Sequence, residues 1–143
     1  MPGGAPIGVQ VDVVRTSDGR KIEVAFATLV RNRADALVVG GDSFLTSRRL
    51  QIATLATRHA IPAVYNSREF AEAGGLMSYG TSLTEVYRQL GVYAGRVLKG
   101  DKPAELPVVQ STKFEFVINL PTARALGLEI PATLLARADE VIE

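Results

Sequence analysis

The 143-residue chain contains no cysteine and a single histidine, His59. The lack of cysteine excludes disulfides, thiolate metal sites and cysteine nucleophiles, but it leaves the redox compartment undecided because an exported domain of this size can fold without disulfides. One histidine and no cysteine leave almost no ligands for a zinc or haem site, and a histidine triad is not expected because His59 falls on the inward side of a predicted helix. We predict that His59 is a packed or capping side chain near a helix C-terminus. The sequence therefore predicts no metal and no cofactor.

An excess of charge of one sign is also lacking, since the formal net charge is +1, while the charged fraction of 22% is ordinary for a globular α/β protein. Such a balance favours neither a nucleic-acid surface nor an acidic tail. The opening MPGGAPIGVQ has neither a basic segment nor an apolar core of the kind that export signals carry, and no phosphate-binding P-loop occurs. As written, the chain is therefore expected to carry no export signal or membrane span and to stay in the cytoplasm.

What the sequence does contain is one clear βαβ unit between residues 34 and 66. The first strand, Ala36 to Val39, is apolar throughout, which is typical of a strand buried on both faces, and we expect it to be central. Gly40 and Gly41 then turn the chain, and Ser43 is the predicted N-cap of an amphipathic helix. Pro62 ends that helix, and residues 63–65 form the next buried strand.

The remaining elements continue the alternation of strands and helices. We predict a strand at 9–14, a helix capped in the turn 16–19, a short helix from Ser67 closed by Gly74-Gly75, a buried strand at 76–79, a long helix between Ser82 and Lys99, a half-exposed strand at 113–119, and two short helices that begin at Pro121 and Pro131. These elements predict an α/β fold with three layers and a mostly parallel sheet.

Small polar and aromatic side chains follow three of the predicted strands, where ligands bind in open α/β sheets. The candidate ligand-binding residues are Asp42, Ser43, Phe44, Tyr65, Asn66, Ser67, Ser78, Tyr79 and Thr81. The serines at 43, 67 and 82 serve equally well as helix caps, and each tyrosine can either fill the core or stack on a ligand. Asp42 lacks the acidic pair and lysine that accompany the phospho-acceptor of receiver domains.

Four longer runs resemble one protein family: IPAVYNSREFAEAGGLMSYG, YRQLGVYAGRVLKGDKPAELPV, FEFVINLPTARALGLEIP and LLARADEVIE. They are similar to bacterial ABC-transporter substrate-binding proteins of the type I periplasmic fold, in the branch linked to aromatic amino acids. The similarity extends from Gly8 to Glu143. It implies two α/β lobes joined by crossing strands, a ligand trapped between them, and delivery to a membrane permease.

By this resemblance the chain corresponds to the second lobe from its second strand onward, so residues 1–8 are a flexible lead-in and 9–143 an incomplete ligand-binding lobe. GGDSF and VYNS become cleft loops, and SYGT lies near a crossover. The helix at 82–99 is then the crossover helix, which would pack against the other lobe, and residues 107–113 return the chain. The resemblance also implies a periplasmic or membrane-anchored location.

Two physical consequences follow from such a truncated lobe. Without its opening strand, the strand at Val9 should pair directly with the strand at Ala36, or sheet edges should stay exposed. The apolar face of the long helix should also lose its cover, including Leu90 and Val97. Because burying each such side chain is worth roughly 1.5 to 3 kcal/mol, we expect a homodimer or a strand-exchanged assembly.

The sequence thus favours a non-enzymatic solute-binding component of an ABC importer, with a small amino-acid-like ligand. A ligand-sensing regulatory domain of the same fold remains an alternative, although no DNA-binding segment is apparent. A small α/β enzyme that uses Asp42 or Tyr65 in acid–base chemistry is the third.

Overall fold

A computed structural model describes residues 8–110 and 113–143. The strands are β1 (Leu37–Val39), β2 (Ala63–Tyr65), β3 (Met77–Thr81), β4 (Phe114–Asn119) and β5 (Glu140–Ile142). The helices are α1 (Gly19–Arg31), α2 (Ser43–Ser47), α3 (Arg49–Arg58), α4 (Arg68–Glu72), α5 (Leu83–Leu98), α6 (Leu120–Ala125) and α7 (Ala132–Leu135), with a 3₁₀ turn at Pro103–Glu105. Most of the predicted lead-in, residues 1–7, lies outside the described residues.

The five strands form one sheet in the order β1-β2-β3-β4-β5. Strands β1, β2 and β3 are mutually parallel, β4 runs antiparallel to β3, and β5 is parallel to β4. The predicted α/β fold with a mostly parallel sheet is confirmed. Because the first three strands are parallel, their carboxyl ends lie at the same edge of the sheet.

Helices cover one face of the sheet much more fully than the other. On the covered face, the cross-strand partners Val39, Tyr65, Ser78 and Val117 are all buried. Side chains from three helices complete that core, namely Ile22, Phe26 and Leu29 of α1, Ile52, Leu55 and Ala56 of α3, and Phe70 of α4. On the opposite face, Val38 is 79% exposed.

Two predictions about the first strands are wrong. Strand β1 lies at an edge and not at the centre, because among the described residues it pairs only with β2. The predicted strand at Val9 to Val14 is also absent, and its four valines are exposed. An apolar run is typical of a strand covered on both faces, whereas β1 is covered on the Val39 face and exposed at Val38. The sequence left two outcomes for the first strands: pairing of the Val9 strand with β1, or an exposed sheet edge. The structure has the exposed edge.

The helix predicted after Gly41 differs from the structure in two details. Asp42, and not Ser43, is the N-cap, since its Oδ1 accepts hydrogen bonds from the Phe44 and Leu45 amides at 2.8 and 3.2 Å. The single predicted helix is also two helices, which are separated at Arg48 (φ −104°, ψ 15°). His59 is the C-cap of α3 and stacks on Phe26 with 6.0 Å between the ring centroids, in agreement with its predicted capping and packing role.

The carboxyl-terminal part contains the predicted strand and two helices, but it differs from the prediction in burial, in the helix starts and in one additional strand. Strand β4 is exposed at Phe114 but buried from Val117 to Asn119, so it is half-exposed along its length and not on alternate residues. The predicted helix starts are displaced, because Pro121 is the second residue of α6 and Pro131 is the N-cap of α7. Strand β5 was not predicted.

Helix α5 matches the predicted long helix to within one residue at each end. Ser82 is its N-cap, and Ser82 Oγ accepts the Glu85 amide at 3.4 Å. No residue of α5 is buried, which confirms that its apolar face is uncovered within the described chain. None of the helices in the described residues is long and apolar enough to cross a membrane.

Candidate functional site

Three loops meet beyond the carboxyl ends of the parallel strands. They comprise Gly40 to Phe44 after β1, Asn66 and Ser67 after β2, and Gly80 and Thr81 at the end of β3. This edge is where open α/β sheets bind ligands. All nine predicted site residues lie in these loops or on the strand ends beside them.

Asn66 is the residue on which the three loops converge. A Cβ on Gly80 would lie 1.7 Å from the main-chain oxygen of Asn66, and a Cβ on Gly41 would lie 2.7 Å from Asn66 Nδ2. Position 80 therefore needs glycine for space, because its neighbour is backbone, whereas a side chain at position 41 would require only the Asn66 side chain to shift. Gly80 thus allows the loops to close around Asn66.

The first loop supplies one carboxylate and one half-buried aromatic ring. Asp42 Oδ1 caps α2, whereas Asp42 Oδ2 has no hydrogen bond or ion pair within residues 8–110 and 113–143. Ser43 is exposed, and Phe44 packs against the edge of the core. Asp42 is thus the charged group that this loop presents to solvent.

Tyr65 and Ser78 point into the core and not toward the shared edge. Tyr65 is 1% exposed, and its ring stacks on Phe70 with centroids 4.6 Å apart and also contacts the backbone at Gly75. Burial raises the pKa of Tyr65 to about 12. The Tyr65 and Ser78 hydroxyls are both buried and without a hydrogen-bond partner among the described residues.

Asn66 and Ser67 also carry unpartnered acceptors. Asn66 Oδ1 and Ser67 Oγ are buried and accept no hydrogen bond in the part of the chain that the structure describes. Ser67 occupies the N-cap position of α4, as predicted, but its side chain makes no capping bond. Since buried polar atoms are rarely left unpaired in folded proteins, these acceptors mark a place where a partner is expected.

Tyr79 points to the opposite face of the sheet from Tyr65 and is 58% exposed. Its ring stacks on Phe114 with centroids 5.5 Å apart and meets Phe116 edge-on at 6.3 Å. Phe114 and Phe116 were not among the predicted site residues. The alternation in β4 placed both rings on one face, but the antiparallel register with β3 was needed to set them beside Tyr79.

The cation nearest in sequence to these loops is already occupied. The Arg68 guanidinium contacts Glu140 at 2.6 Å and Glu115 at 3.3 Å, and it also pairs with Glu72. The hydrogen bond that Arg68 donates to Glu140, followed by the one that it donates to Glu72, raises the pKa of Arg68 above its usual value. Arg68 therefore ties α4 to β4 and β5. Among the described residues, no three carboxylate, histidine or cysteine side chains cluster as metal ligands would.

Comparison with known proteins places this geometry in a family. The family model for ABC transporter substrate binding protein matches residues 6–142. The chain belongs to this family. A curated relative, the tyrosine-binding protein of Clostridioides difficile (strain R20291), is 25% identical over 113 residues, which are 79% of this chain and 32% of that protein.

Solved structures of similar proteins share the fold. The ABC domain from Streptococcus pneumonia in complex with L-Trp superposes with a TM-score of 0.83 at 27% identity, covering 95% of this chain and 46% of that one. A conserved domain protein from Vibrio cholerae gives a TM-score of 0.85 at 22% identity, with coverage of 96% and 46%. The ligand-free, open form of a substrate-binding protein with adhesive properties from Clostridium difficile gives 0.67 at 23% identity, with coverage of 94% and 45%.

The chain spans less than half of these relatives, namely 32% of the tyrosine-binding protein and 46% of the structure bound to L-Trp. The family-model match confirms the family that the sequence resembles, and the superpositions confirm the fold. The roles of individual site residues stay predictions.

Proposed function

We propose that this chain binds a small amino-acid-like ligand at the carboxyl edge of β1, β2 and β3, as part of an extracytoplasmic solute-binding protein that serves an ABC importer and catalyses no reaction. The observation that carries this proposal is the convergence of the three strand-end loops on Asn66, whose backbone lies so close to β3 that position 80 has no room for a side chain. Such a closed arrangement of loops holds a few polar groups in fixed positions, which is what orients a small ligand.

Three polar atoms at this edge can accept hydrogen bonds from a ligand, and the Ser67 hydroxyl can also donate one. Asp42 Oδ2, Asn66 Oδ1 and Ser67 Oγ are without partners in residues 8–110 and 113–143, while Arg68 is already paired with three carboxylates. An ammonium group carries three donors and one positive charge, so it complements these acceptors. We therefore assign the amino group of the ligand to this edge.

The aromatic surface beside the edge supports an aromatic side chain on the ligand. Tyr79 leaves more than half of its surface exposed next to Gly80 and Thr81, and an aromatic ring of a ligand can stack on it or meet its edge. One relative is named for tyrosine, and one similar structure holds L-Trp. These names support an aromatic amino acid over a sugar or an anion.

The alternatives from the sequence fit less well. A ligand-sensing regulatory domain would use the same edge, but the family is named for transport. An enzyme that uses Tyr65 in proton transfer is disfavoured, because burial holds the phenol in its neutral form and away from solvent.

Ligand analogues test which group this edge recognises. By calorimetry, the full 143-residue chain should bind L-tyrosine and tyramine, which both carry the amine, more tightly than hydroxyphenylpropionate, which carries only the carboxylate. Preference for the carboxylate analogue would contradict the assignment of the ammonium. No binding of any aromatic amino acid at millimolar concentration would contradict the proposed function itself.

Asp42→Asn is the sharpest variant for this test. Asparagine is as good an N-cap as aspartate, so α2 should be retained while the charge is lost. We expect tyramine to bind at least about tenfold more weakly, which corresponds to about 1.4 kcal/mol. Asp18→Asn is the matched control, because Asp18 caps α1 in the same way but already pairs with Lys21 at 3.4 Å. Equal losses in the two variants would contradict the role of Asp42.

A further inference from the structure

We propose that Glu115 and Glu140 are positioning residues of the ligand site, because they hold the chain segment that follows β2 against strands β4 and β5. This segment, residues 66–68, is called the strap below. The inference rests on the proposed function, since the strap carries the Asn66 and Ser67 acceptors to which the amine of the ligand is assigned. Neither glutamate is among the predicted site residues, and neither lies in the three strand-end loops.

The strap passes over β3 at Gly80. The main-chain oxygen of Asn66 lies only 1.7 Å from the place that a Cβ on Gly80 would occupy. Gly80 is paired in register with Glu115 on β4. Because directly opposed residues of neighbouring strands project to the same face of a sheet, Glu115 stands on the face over which the strap passes. The strap therefore runs from the end of β2 across β3 and reaches β4.

Arg68, at the end of the strap, contacts both distant strands. Its Nη1 lies 2.6 Å from Glu140 Oε2 and 3.3 Å from Glu115 Oε2. Glu115 belongs to β4 and Glu140 is the first residue of β5, so both carboxylates are fixed to the sheet. The third partner, Glu72, lies on α4 itself, so its ion pair cannot hold α4 against the sheet. Two of the three ion pairs therefore hold the strap in place.

The two ends of α4 are held by different kinds of contact. At the C-terminal end, Asn119 Nδ2 donates to the Ala71 carbonyl at 3.0 Å. Thr122 Oγ1 donates to the Gly74 carbonyl at 2.9 Å, so neutral hydrogen bonds hold this end. At the N-terminal end, Ser67 makes no capping hydrogen bond. Loss of the ion pairs should therefore loosen the strap while the C-terminal end of α4 stays in place.

A loosened strap should weaken binding, because it carries two of the three acceptors assigned to the ligand. Asn66 Oδ1 and Ser67 Oγ are buried and without partners in residues 8–110 and 113–143. If they are mobile before the ligand arrives, binding must also order them, and that ordering lowers the affinity. Asp42 lies in the loop after β1, so its contribution should not change.

Binding of L-tyrosine to glutamine variants of the full chain tests this role by calorimetry. Glutamine keeps the size of glutamate and removes its charge. Glu115→Gln and Glu140→Gln should each weaken binding, and together they should weaken it roughly tenfold. Glu72→Gln is the matched control, because it removes one carboxylate from the same arginine without releasing the strap from the sheet. It should change the affinity by less than about twofold.

Backbone ¹⁵N relaxation without ligand gives a readout that a merely structural role would not move. The amides of Asn66 and Ser67 should become more mobile in the double glutamine variant, but not in Glu72→Gln. The amide of Ala73, at the C-cap of α4, should keep its order in both variants. A general loss of stability would instead lower the unfolding transition without a local change at the strap.

The outcomes separate this inference from the proposed function. A double variant that binds L-tyrosine as tightly as the wild-type chain would overturn the positioning role and leave the proposed function intact. An equal loss of affinity in Glu72→Gln would also overturn it, as would an unchanged mobility of the strap. If the wild-type chain bound no aromatic amino acid, the proposed function would fail, and the relaxation measurement alone would decide whether the two glutamates hold the strap.

Discussion

Gly80 is the residue whose replacement tests the packing of the candidate site most sharply. A methyl group there would lie 1.7 Å from the Asn66 carbonyl oxygen, and no rotamer change can relieve a clash with backbone. We expect Gly80→Ala to lower the free energy of unfolding by roughly 3 kcal/mol, as overpacking does. Denaturant unfolding measures this change.

The control for Gly80 is a glycine with free space. Gly95 lies within α5, and a methyl group there would meet no atom within 4 Å beyond the backbone of its own helix. Gly95→Ala should therefore raise stability by about 0.5 to 1 kcal/mol through helix propensity. If the two alanine variants were equally stable, the convergence of loops on Asn66 would be wrong.

Tyr65 couples stability to alkaline pH. Burial favours the neutral phenol and raises its pKa from 10.0 to about 12, so the folded chain keeps a proton that the unfolded chain releases. Stability is therefore fully present below about pH 10 and is lost as the pH rises from 10 toward 12. Thermal unfolding over this range should show the decline.

Tyr65→Phe removes both the ionisation and an unpartnered hydroxyl. Because a buried hydroxyl without a partner costs about 1 to 3 kcal/mol, we expect the variant to be more stable at pH 7 by roughly 1 kcal/mol. It should also lose part of the alkaline decline. Tyr79→Phe, at an exposed ring, should do neither. A large destabilisation by Tyr65→Phe would show that the hydroxyl has a partner after all.

The ion pairs of Arg68 join three elements, α4, β4 and β5. Arg68→Ala leaves Glu115 and Glu140 close together without their shared cation. We expect a loss of about 1 kcal/mol, because the group is partly exposed, and a smaller loss at high salt. Urea unfolding at two ionic strengths measures both effects. Arg88→Ala, which removes a pair within α5 alone, should change stability little, and an equal loss in both would contradict this role for Arg68.

The residue pattern predicted well those helices and strands whose positions depend on residues near in sequence. Glycine, proline and capping residues gave most helix ends, and the apolar runs gave β1, β2 and β3. The pattern failed where a distant neighbour decides. Strand β5 forms on the three-residue segment Glu140–Ile142 because β4 offers a free edge and Asp139 accepts the Phe116 amide at 2.7 Å. The N-terminal valines had the alternation of a strand but no partner in the sheet.

The sequence predicted where the candidate site lies but not which residues contact one another there. Buried strands that end in Gly, Asp, Asn and Ser predicted the shared edge correctly. The sequence leaves open which tyrosine faces the core, because the residue pattern does not determine on which side of a strand each ring lies. The packing of α4 on the sheet sets Tyr65 against Phe70, and the register of β3 with β4 sets Tyr79 beside Phe116. The close approach of Gly80 to Asn66 joins residues of neighbouring strands, so no local pattern could reveal it.

The whole molecule has one well-covered sheet face, one edge strand and one uncovered helix face. The covered face holds the hydrophobic core, and the strand-end loops form the proposed ligand site. Each of these surfaces can be probed separately, because the residues that define them do not overlap.

The most direct measurement is a titration of the ¹⁵N-labelled chain with L-tyrosine, read at each backbone amide. We predict that the largest shifts fall in the three loops, at residues 40–44, 66–67 and 79–81. Saturation should come at micromolar to millimolar ligand. Shifts confined to α5, or no shifts at all, would contradict the claim that the carboxyl edge of β1, β2 and β3 binds an amino acid.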